Sequence, residues 1–594
     1  MNQEIGTSRQ VNNEPYKEFV SLKESLITQF GASNALLDQL SQDYENKMRS
    51  NNITSQEIVE EIEAKIVSKL TLSIKLIDMC LTQVIANHIK KIEQENRKRQ
   101  AKQIGSKAST KKDKPVQIKI KGISFKPSVT YQESDKQLYQ SSSFNSKPIE
   151  LMLTSNDNDY KMIPKDELES YDGYKKYFID FKKNLLSSYE IKEDDPLLDV
   201  NKFVLVVAFD TNEFKPRLED LMGVDPSKDY LTYRLKMDNL DVNSMDYYFV
   251  SGSIMYFEGE RKNNNEIIVK HYTSGFPFVT YSIQEEFLRH YYIESSPYLI
   301  YSMNGPFFSK DNYDLTVFKK TLQMIKNQNP HCLIINGPII YSENEYIKNG
   351  DIVNENNAQI TYHDLFDSFI KLIDEMFFIG KQTNTQVIIT PSLSDELNYY
   401  PLPQPSYEVG TYVNSIVSQK QKKLYLLGNP QIFQMNEIIV GIANYDFIKD
   451  MSANCLRSRS KVPIDSALEM ILYQHSLYPV LQNTITNEDA DKFDRIITSD
   501  ISKVNKFSFD TLPDIVLTTS ATNPFIKKIN ATIFINSGPM FRGKNPGSIA
   551  KITTFPPSQY VGTEITKRVK VELLKIEVEA ESNEIDLSEM QLDL

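Results

Sequence analysis

The sequence predicts a multidomain protein built from an N-terminal α-helical bundle, an OB-type β-barrel and a large layered α/β domain. Three observations carry this. The chain has 594 residues, too many for one compact core. Apolar residues recur at helical spacing up to residue 92, and strands alternate with helices from about residue 296. At 40% hydrophobic and 25% charged, the composition is that of an ordinary globular chain.

Residues 1–92 read as the helical domain. Phe19, Leu22, Leu26, Ile27 and Phe30 form one stripe that stops at Gly31. Leu36, Leu37, Leu40 and Tyr44 form a second. Thr54-Ser55-Gln56-Glu57 fits a capping box opening a third helix through Ile58, Ile62 and Ile66, and a fourth runs near Leu72–Ile85. Residues 93–165 lose this periodicity and read as a flexible basic and polar linker. Its basic run includes Arg97, Lys98, Arg99, Lys111, Lys112 and Lys114, candidate contacts for nuclear import or nucleic acid. The net charge of −12 does not favour nonspecific DNA binding by the chain as a whole.

Residues 166–295 read as the OB-type domain with a leading helix. Tyr174, Phe178, Phe181 and Leu185 share one helix side. The strands expected after it are Phe203–Phe209, Tyr230–Met237, Phe249–Gly259 and Glu266–Tyr272. Tyr230, Tyr233, Tyr247, Tyr248 and Phe249 could stack on single-stranded DNA. Asp229, Asp238, Asp241 and Asp246 beside them argue against a phosphate track.

Residues 296–594 read as the α/β domain with an acidic tail, Glu579–Leu594. Strands are expected at Tyr298–Tyr301, Cys332–Ile335, Gln386–Thr390, Leu424–Leu427, Ile438–Ala443, Ile515–Thr519, Thr532–Ile535 and Ala550–Thr554, with a late strand at Arg568–Glu577. Helices are expected at Leu315–Asn327, Tyr362–Phe378 and Ile464–Tyr473.

The loops after the first three strands decide the chemistry. They read Ser302-Met303-Asn304-Gly305-Pro306, Asn336-Gly337-Pro338-Ile339-Ile340-Tyr341 and Pro391-Ser392-Leu393-Ser394-Asp395. Two-metal hydrolysis needs carboxylates and imidazoles at such strand ends, with the ions about 3.5–4 Å apart. Asp395 is the one carboxylate at these loops, and turn geometry accounts for it. Asp446 reads as a turn or cap residue. None of the six histidines follows a strand of this domain as a ligand would, and the three cysteines form no metal or disulfide spacing. Phosphate-loop and nucleophile-elbow motifs are also missing. The sequence therefore predicts no catalytic residue, no metal site and no cofactor. It also shows no membrane-spanning run.

These pieces, in this order, resemble the accessory B subunits of DNA polymerase alpha–primase. The carrying segments are Asn304-Gly305-Pro306-Phe307 with Asp311-Asn312, Leu333 to Pro338, Thr385 to Ser392, Tyr400 to Pro405, and Leu427-Gly428-Asn429-Pro430. Further on they are Gln474-His475-Ser476-Leu477-Tyr478-Pro479, Leu512 to Leu517 and Asn536-Ser537-Gly538-Pro539. The resemblance implies an OB domain joined to a calcineurin-like phosphoesterase domain that has lost its metal ligands. By motif, Ser302 and Asn304 stand where an active relative has Asp and His. Pro338 and Tyr341 replace two acidic positions, Leu393 and Ser394 replace Asn-His, and Ser520-Ala521-Thr522 replaces a closing His motif. The implied role is noncatalytic: a nuclear scaffold that grips the C-terminal zinc-binding domain of the polymerase catalytic subunit within the primase complex. DNA would be met only indirectly, and the helical domain would tether other replisome or telomere factors. The alternatives are an active metal-dependent phosphoesterase or nuclease of the same fold, and autonomous single-stranded DNA binding by the OB block. Residues 93–165 and 480–510 match nothing in the family.

Overall fold

The computed structural model describes residues 120–133, 149–153, 167–207, 234–236, 248–262, 266–277, 297–354, 358–379, 384–398, 400–419, 423–453, 455–457, 462–480, 499–556 and 564–580. The helical bundle expected over 1–92 and the basic run from Arg97 to Lys114 lie outside them.

Two large sheets form the centre. The seven-stranded sheet has the order β1 (Ile120–Gln132), β21 (Val569–Ala580), β20 (Ser548–Thr554), β8 (Tyr298–Asn304), β9 (Cys332–Asn336), β10 (Gln386–Thr390) and β11 (Leu424–Leu426). Strands β8 to β11 are parallel, and β20, β21 and β1 continue antiparallel from β8. A short hairpin, β18 (Phe541–Arg542) with β19 (Asn545–Pro546), leads into β20. The six-stranded sheet has the order β16 (Phe525–Ile529), β17 (Thr532–Asn536), β15 (Ile515–Thr518), β13 (Ile438–Ala443), β12 (Gln431–Met435) and β2 (Leu151–Leu153). β8, β9 and β10 are apolar runs buried along their whole length, as parallel strands covered on both faces must be. Ile300, Ile334 and Ile388 of one sheet and Val440, Ile442, Leu517 and Ile535 of the other fill the space between the sheets.

Helices cover the outer faces. α2 (Thr316–Asn327) and α3 (Tyr362–Phe377) close the first sheet through Phe318, Phe369 and Ile373. A reciprocal capping box between Thr361 and Asp364 starts α3. α1 (Glu167–Ser188) and α4 (Pro463–Tyr473) lie in the core on the second sheet's side.

A four-stranded sheet, β3 (Lys202–Val206), β6 (Ile254–Arg261), β7 (Glu266–Thr273) and β4 (Arg234–Lys236), packs against that side. Alternation along its strands serves two cores. Phe203, Leu205, Met255 and Phe257 face their own cluster, while Val204, Val206, Ile254 and Tyr256 join α1, α4 and Phe534. β5 (Tyr248–Val250) pairs with β14 (Cys455–Arg457) from the α/β part. The single run expected over Phe249–Gly259 is thus two strands, broken at Gly252, whose φ is +98°.

The structure corrects the linker expected over 93–165. Ile120–Gln132 pairs with β21 along its length, and Leu151–Leu153 pairs with β12. A strand needs a partner, and the partner of β1 lies at the far end of the chain. The register sets Ile120 opposite Ala580, so the residues before β1 and after β21 leave the body at one point.

A buried ion pair sits where the strands begin. Arg568 donates from Nη2 to Glu437 Oε1 at 3.0 Å and from Nη1 to the Phe555 carbonyl at 2.6 Å, and both charged side chains are fully buried. Asp514 accepts from the Ile439 N–H at 2.8 Å. Burial pushes its carboxyl up to about 7, Glu437 adds to the rise, and the Ile439 bond and Arg568 oppose it. The fold therefore favours protonated Asp514. This contribution is complete below the unfolded carboxyl range near pH 4 and is lost as pH rises through about 7. Asp514→Asn is expected to flatten the stability curve between pH 4 and 8 by a few kcal/mol at most, since each tenfold change in proton affinity is worth roughly 1.4 kcal/mol. Urea unfolding of both proteins across that range measures it, and an unchanged slope refutes the assignment.

Candidate functional site

β8, β9 and β10 end side by side, and their last residues are in register: Asn304 opposite Asn336, and Asn336 opposite Thr390. Their side chains form one chain of hydrogen bonds. Thr390 Oγ1 donates to Asn336 Oδ1 at 2.9 Å, and Asn336 Nδ2 donates to Asn304 Oδ1 at 2.9 Å. A second run begins where the other sheet meets this rim. Asn444, next after β13, donates from Nδ2 to the carbonyls of Gly337 (3.1 Å) and Pro391 (2.8 Å). Its N–H donates to Asn429 Oδ1 at 2.9 Å, and Asn429 Nδ2 reaches Gln404 Oε1 at 2.9 Å. Gln404 passes the chain to Asn398 and to the Ser392 carbonyl. All these amides are buried. Buried amides must be bonded, and here they bond to one another and to the loop backbone.

Asp395 is the buried carboxylate of this rim. Oδ2 accepts from the Ile339 N–H (2.6 Å) and the Tyr407 hydroxyl (2.5 Å), and Oδ1 accepts from the Ile340 N–H (3.2 Å). The carboxylate thus fastens the loop after β9. Burial pushes Asp395 up to about 6, while the Tyr407, Ile339 and Ile340 bonds pull the other way. Gly337 is required beside it, since a Cβ there would stand 2.7 Å from the Tyr407 hydroxyl.

The degenerate positions can now be placed. Ser302 and Asn304 are buried inside β8, which runs three residues past the expected Tyr301 because both neighbouring strands pair with it. Pro338 follows a cis peptide, and Tyr341 bridges to Asp395. Leu393 packs on the core beneath α4. Ser394 shares a 3.2 Å hydroxyl contact with Ser392, and its carbonyl accepts from the Ser342 N–H. At the closing loop, Ser520 Oγ and the Ala521 N–H donate to Asp446 at 2.8 Å each. Asp446 also accepts from the Lys449 N–H at 3.1 Å and so caps the helix that follows.

Neutral amides, hydroxyls and a proline do not fit a pair of divalent ions, which take carboxylate and imidazole donors. Among the described residues no group of three or more His, Cys, Asp or Glu is placed to hold a metal. The histidines serve packing or lie at the surface. His331 Nδ1 accepts from the Leu299 N–H at 3.0 Å, with its ring edge-on to Tyr298. His475 stacks on Phe509, and His271 and His363 are exposed.

Sequence reasoning did not predict the amide network. Its signal was present: Asn before Gly-Pro at 336, before Pro at 429 and before Ser-Gly-Pro at 536, each at a strand end. Asn536 repeats the pattern on the second sheet, accepting from the Gly538 N–H at 3.1 Å.

The fold and rim define a class, a layered α/β protein whose strand-end loops are tied together by neutral polar groups. Residues 300–527 match the family described as the DNA polymerase alpha/epsilon B subunit, and over this segment the chain belongs to that family. It is 25% identical over 355 residues to the DNA polymerase alpha B subunit of Saccharomyces cerevisiae, covering 54% of this chain and 49% of that one. It is 24% identical over 357 residues to that of Schizosaccharomyces pombe, covering 58% of each. The chain thus spans about half the length of these curated relatives. A solved structure titled as a 5′-nucleotidase from Staphylococcus aureus aligns with 48% of this chain and 55% of its own at 13% identity. Its TM-score of 0.22 carries no argument.

Proposed function

We propose that this chain is a noncatalytic accessory subunit of DNA polymerase alpha, acting in the nucleus at the start of DNA replication. The observation that carries this reading is the rim: the positions where a hydrolase of this layout would need ligands are used up in bonds among Asn304, Asn336, Thr390, Asn429 and Asn444. The family match supports it. In this reading the α/β sandwich is an inactivated calcineurin-like phosphoesterase domain, and the four-stranded sheet belongs to an OB domain. Together they hold the C-terminal zinc-binding domain of the catalytic subunit, with the primase subunits in the same complex. A stable grip of this kind needs an interface of roughly 2,000 Å² or more. The N-terminal residues, which leave the body beside the acidic tail, tether further replication or telomere factors.

Co-expression with the polymerase alpha catalytic subunit of the same cell is the test. A stoichiometric complex that survives size exclusion at 0.5 M salt is expected (about a threefold rise over physiological ionic strength, where exposed pairs are screened). The free chain is expected to carry no bound manganese or zinc by elemental analysis and to leave single-stranded DNA intact with Mn²⁺ present. Failure to form the complex overturns the proposal. Nuclease activity abolished by Asp395→Asn replaces it with the enzymatic reading.

A further inference from the structure

We infer that the side chain of Gln474 works as an added rung of the β6–β7 ladder, and that this rung fixes the seating of the four-stranded sheet on the α/β body. The paired residues of β6 and β7 end at Tyr256 and Thr273. The Gln474 amide, from the residue that caps α4, enters the gap beyond them. Its Oε1 accepts from the Ile254 N–H at 2.8 Å. Its Nε2 donates to the carbonyls of Ile254 (2.9 Å) and Ser274 (2.5 Å). Accepting from and donating to one residue is what a backbone partner does in an antiparallel ladder. Only a primary amide offers both functions at that reach, since a carboxylate has no donor and an apolar chain has neither.

Neighbouring contacts hold the same joint. The Phe276 N–H donates to the Tyr473 carbonyl at 2.8 Å, and the Tyr189 hydroxyl donates to the Gly275 carbonyl at 2.8 Å. Gly275 has φ +143°, and a Cβ there would lie 2.1 Å from the Tyr473 oxygen, so the close approach requires glycine. The Phe276 ring lies between Phe181 at 4.7 Å and His475 at 4.4 Å, and His475 continues the stack to Phe509 at 5.3 Å. Apolar burial between the two parts is non-directional and would tolerate sliding. The buried amide bonds are directional, and an offset would leave three backbone groups unsatisfied.

The test is residue-resolved hydrogen exchange on the free full-length chain, comparing wild type with Gln474→Met. A Phe377→Leu variant controls for destabilisation in the other half of the core. Gln474→Met is expected to speed exchange at Ile254 and Phe276 about tenfold or more while β8 to β10 change by less than about twofold, because local opening exposes only those groups. Phe377→Leu is expected to show the reverse. If Gln474→Met does not fold, Gln474→Asn keeps the amide but falls one methylene short, and the same local loss is expected. Loss spread evenly over both parts means that Gln474 contributes only global stability, and this overturns the inference, as does unchanged protection at Ile254. Because no partner is present, the result is independent of whether the chain binds a polymerase.

Discussion

Arg568→Met is expected to lower unfolding stability by about 3–5 kcal/mol, the loss that follows when one member of a buried pair is removed. Three effects act together. Glu437 loses its guanidinium partner at 3.0 Å inside a fully buried site. The Phe555 carbonyl loses its 2.6 Å donor. Asp514, which Arg568 now draws down, moves further up. The double variant Arg568→Met, Glu437→Met is expected to recover most of the loss, because replacing a whole buried pair by apolar side chains is often neutral. Urea unfolding of the wild type, both single variants and the double variant completes the cycle. A single-variant loss under about 1 kcal/mol, the range of exposed pairs, would mean that the pair is open to solvent.

Asp395→Ala is expected to have the second large effect. It strips the acceptor from the Ile339 N–H, the Ile340 N–H and the Tyr407 hydroxyl, and each buried donor left unsatisfied costs about 1–3 kcal/mol. Asp395→Asn keeps an acceptor oxygen and is expected to cost less. The two variants also separate charge from bonding. Burial raises the Asp395 carboxyl to about 6, so the fold favours its neutral form. That advantage is present below about pH 4 and disappears as pH rises past 6. Wild type is therefore expected to lose stability across this window relative to Asp395→Asn. Thermal unfolding at pH 4, 5, 6 and 7 measures the difference. A constant difference across that series rules out the raised carboxyl.

Much of the fold was legible because burial on both faces leaves an unbroken apolar run. Ile438–Ala443 and Gln386–Thr390 are strands with the bounds expected from sequence. Thr316–Asn327 and Tyr362–Phe377 match the helical spacing to within one residue. β1 was not legible. Ile120–Gln132 carries lysines, a proline and hydroxyls like the linker around it, and it becomes a strand through pairing with Val569–Ala580. Phe525–Ile529 was missed for a related reason: an edge strand is buried on fewer sides, and its two lysines break the apolar signal.

The rim divides in the same way. Its lack of a ligand set is a matter of residue identity, so the loops after Asn304, Asn336 and Thr390 disclosed it directly. What fills the space instead depends on which distant side chains meet. Asn444 reaches Gly337 and Pro391 across 107 and 53 positions, and Asp395 closes on Ile339 across 56. Local sequence sets the apolar periods and the donor chemistry, because these belong to single residues and their near neighbours. Register, the partners of buried amides and the titration of buried carboxyls belong to the tertiary structure, because each depends on groups that only folding brings within hydrogen-bonding distance.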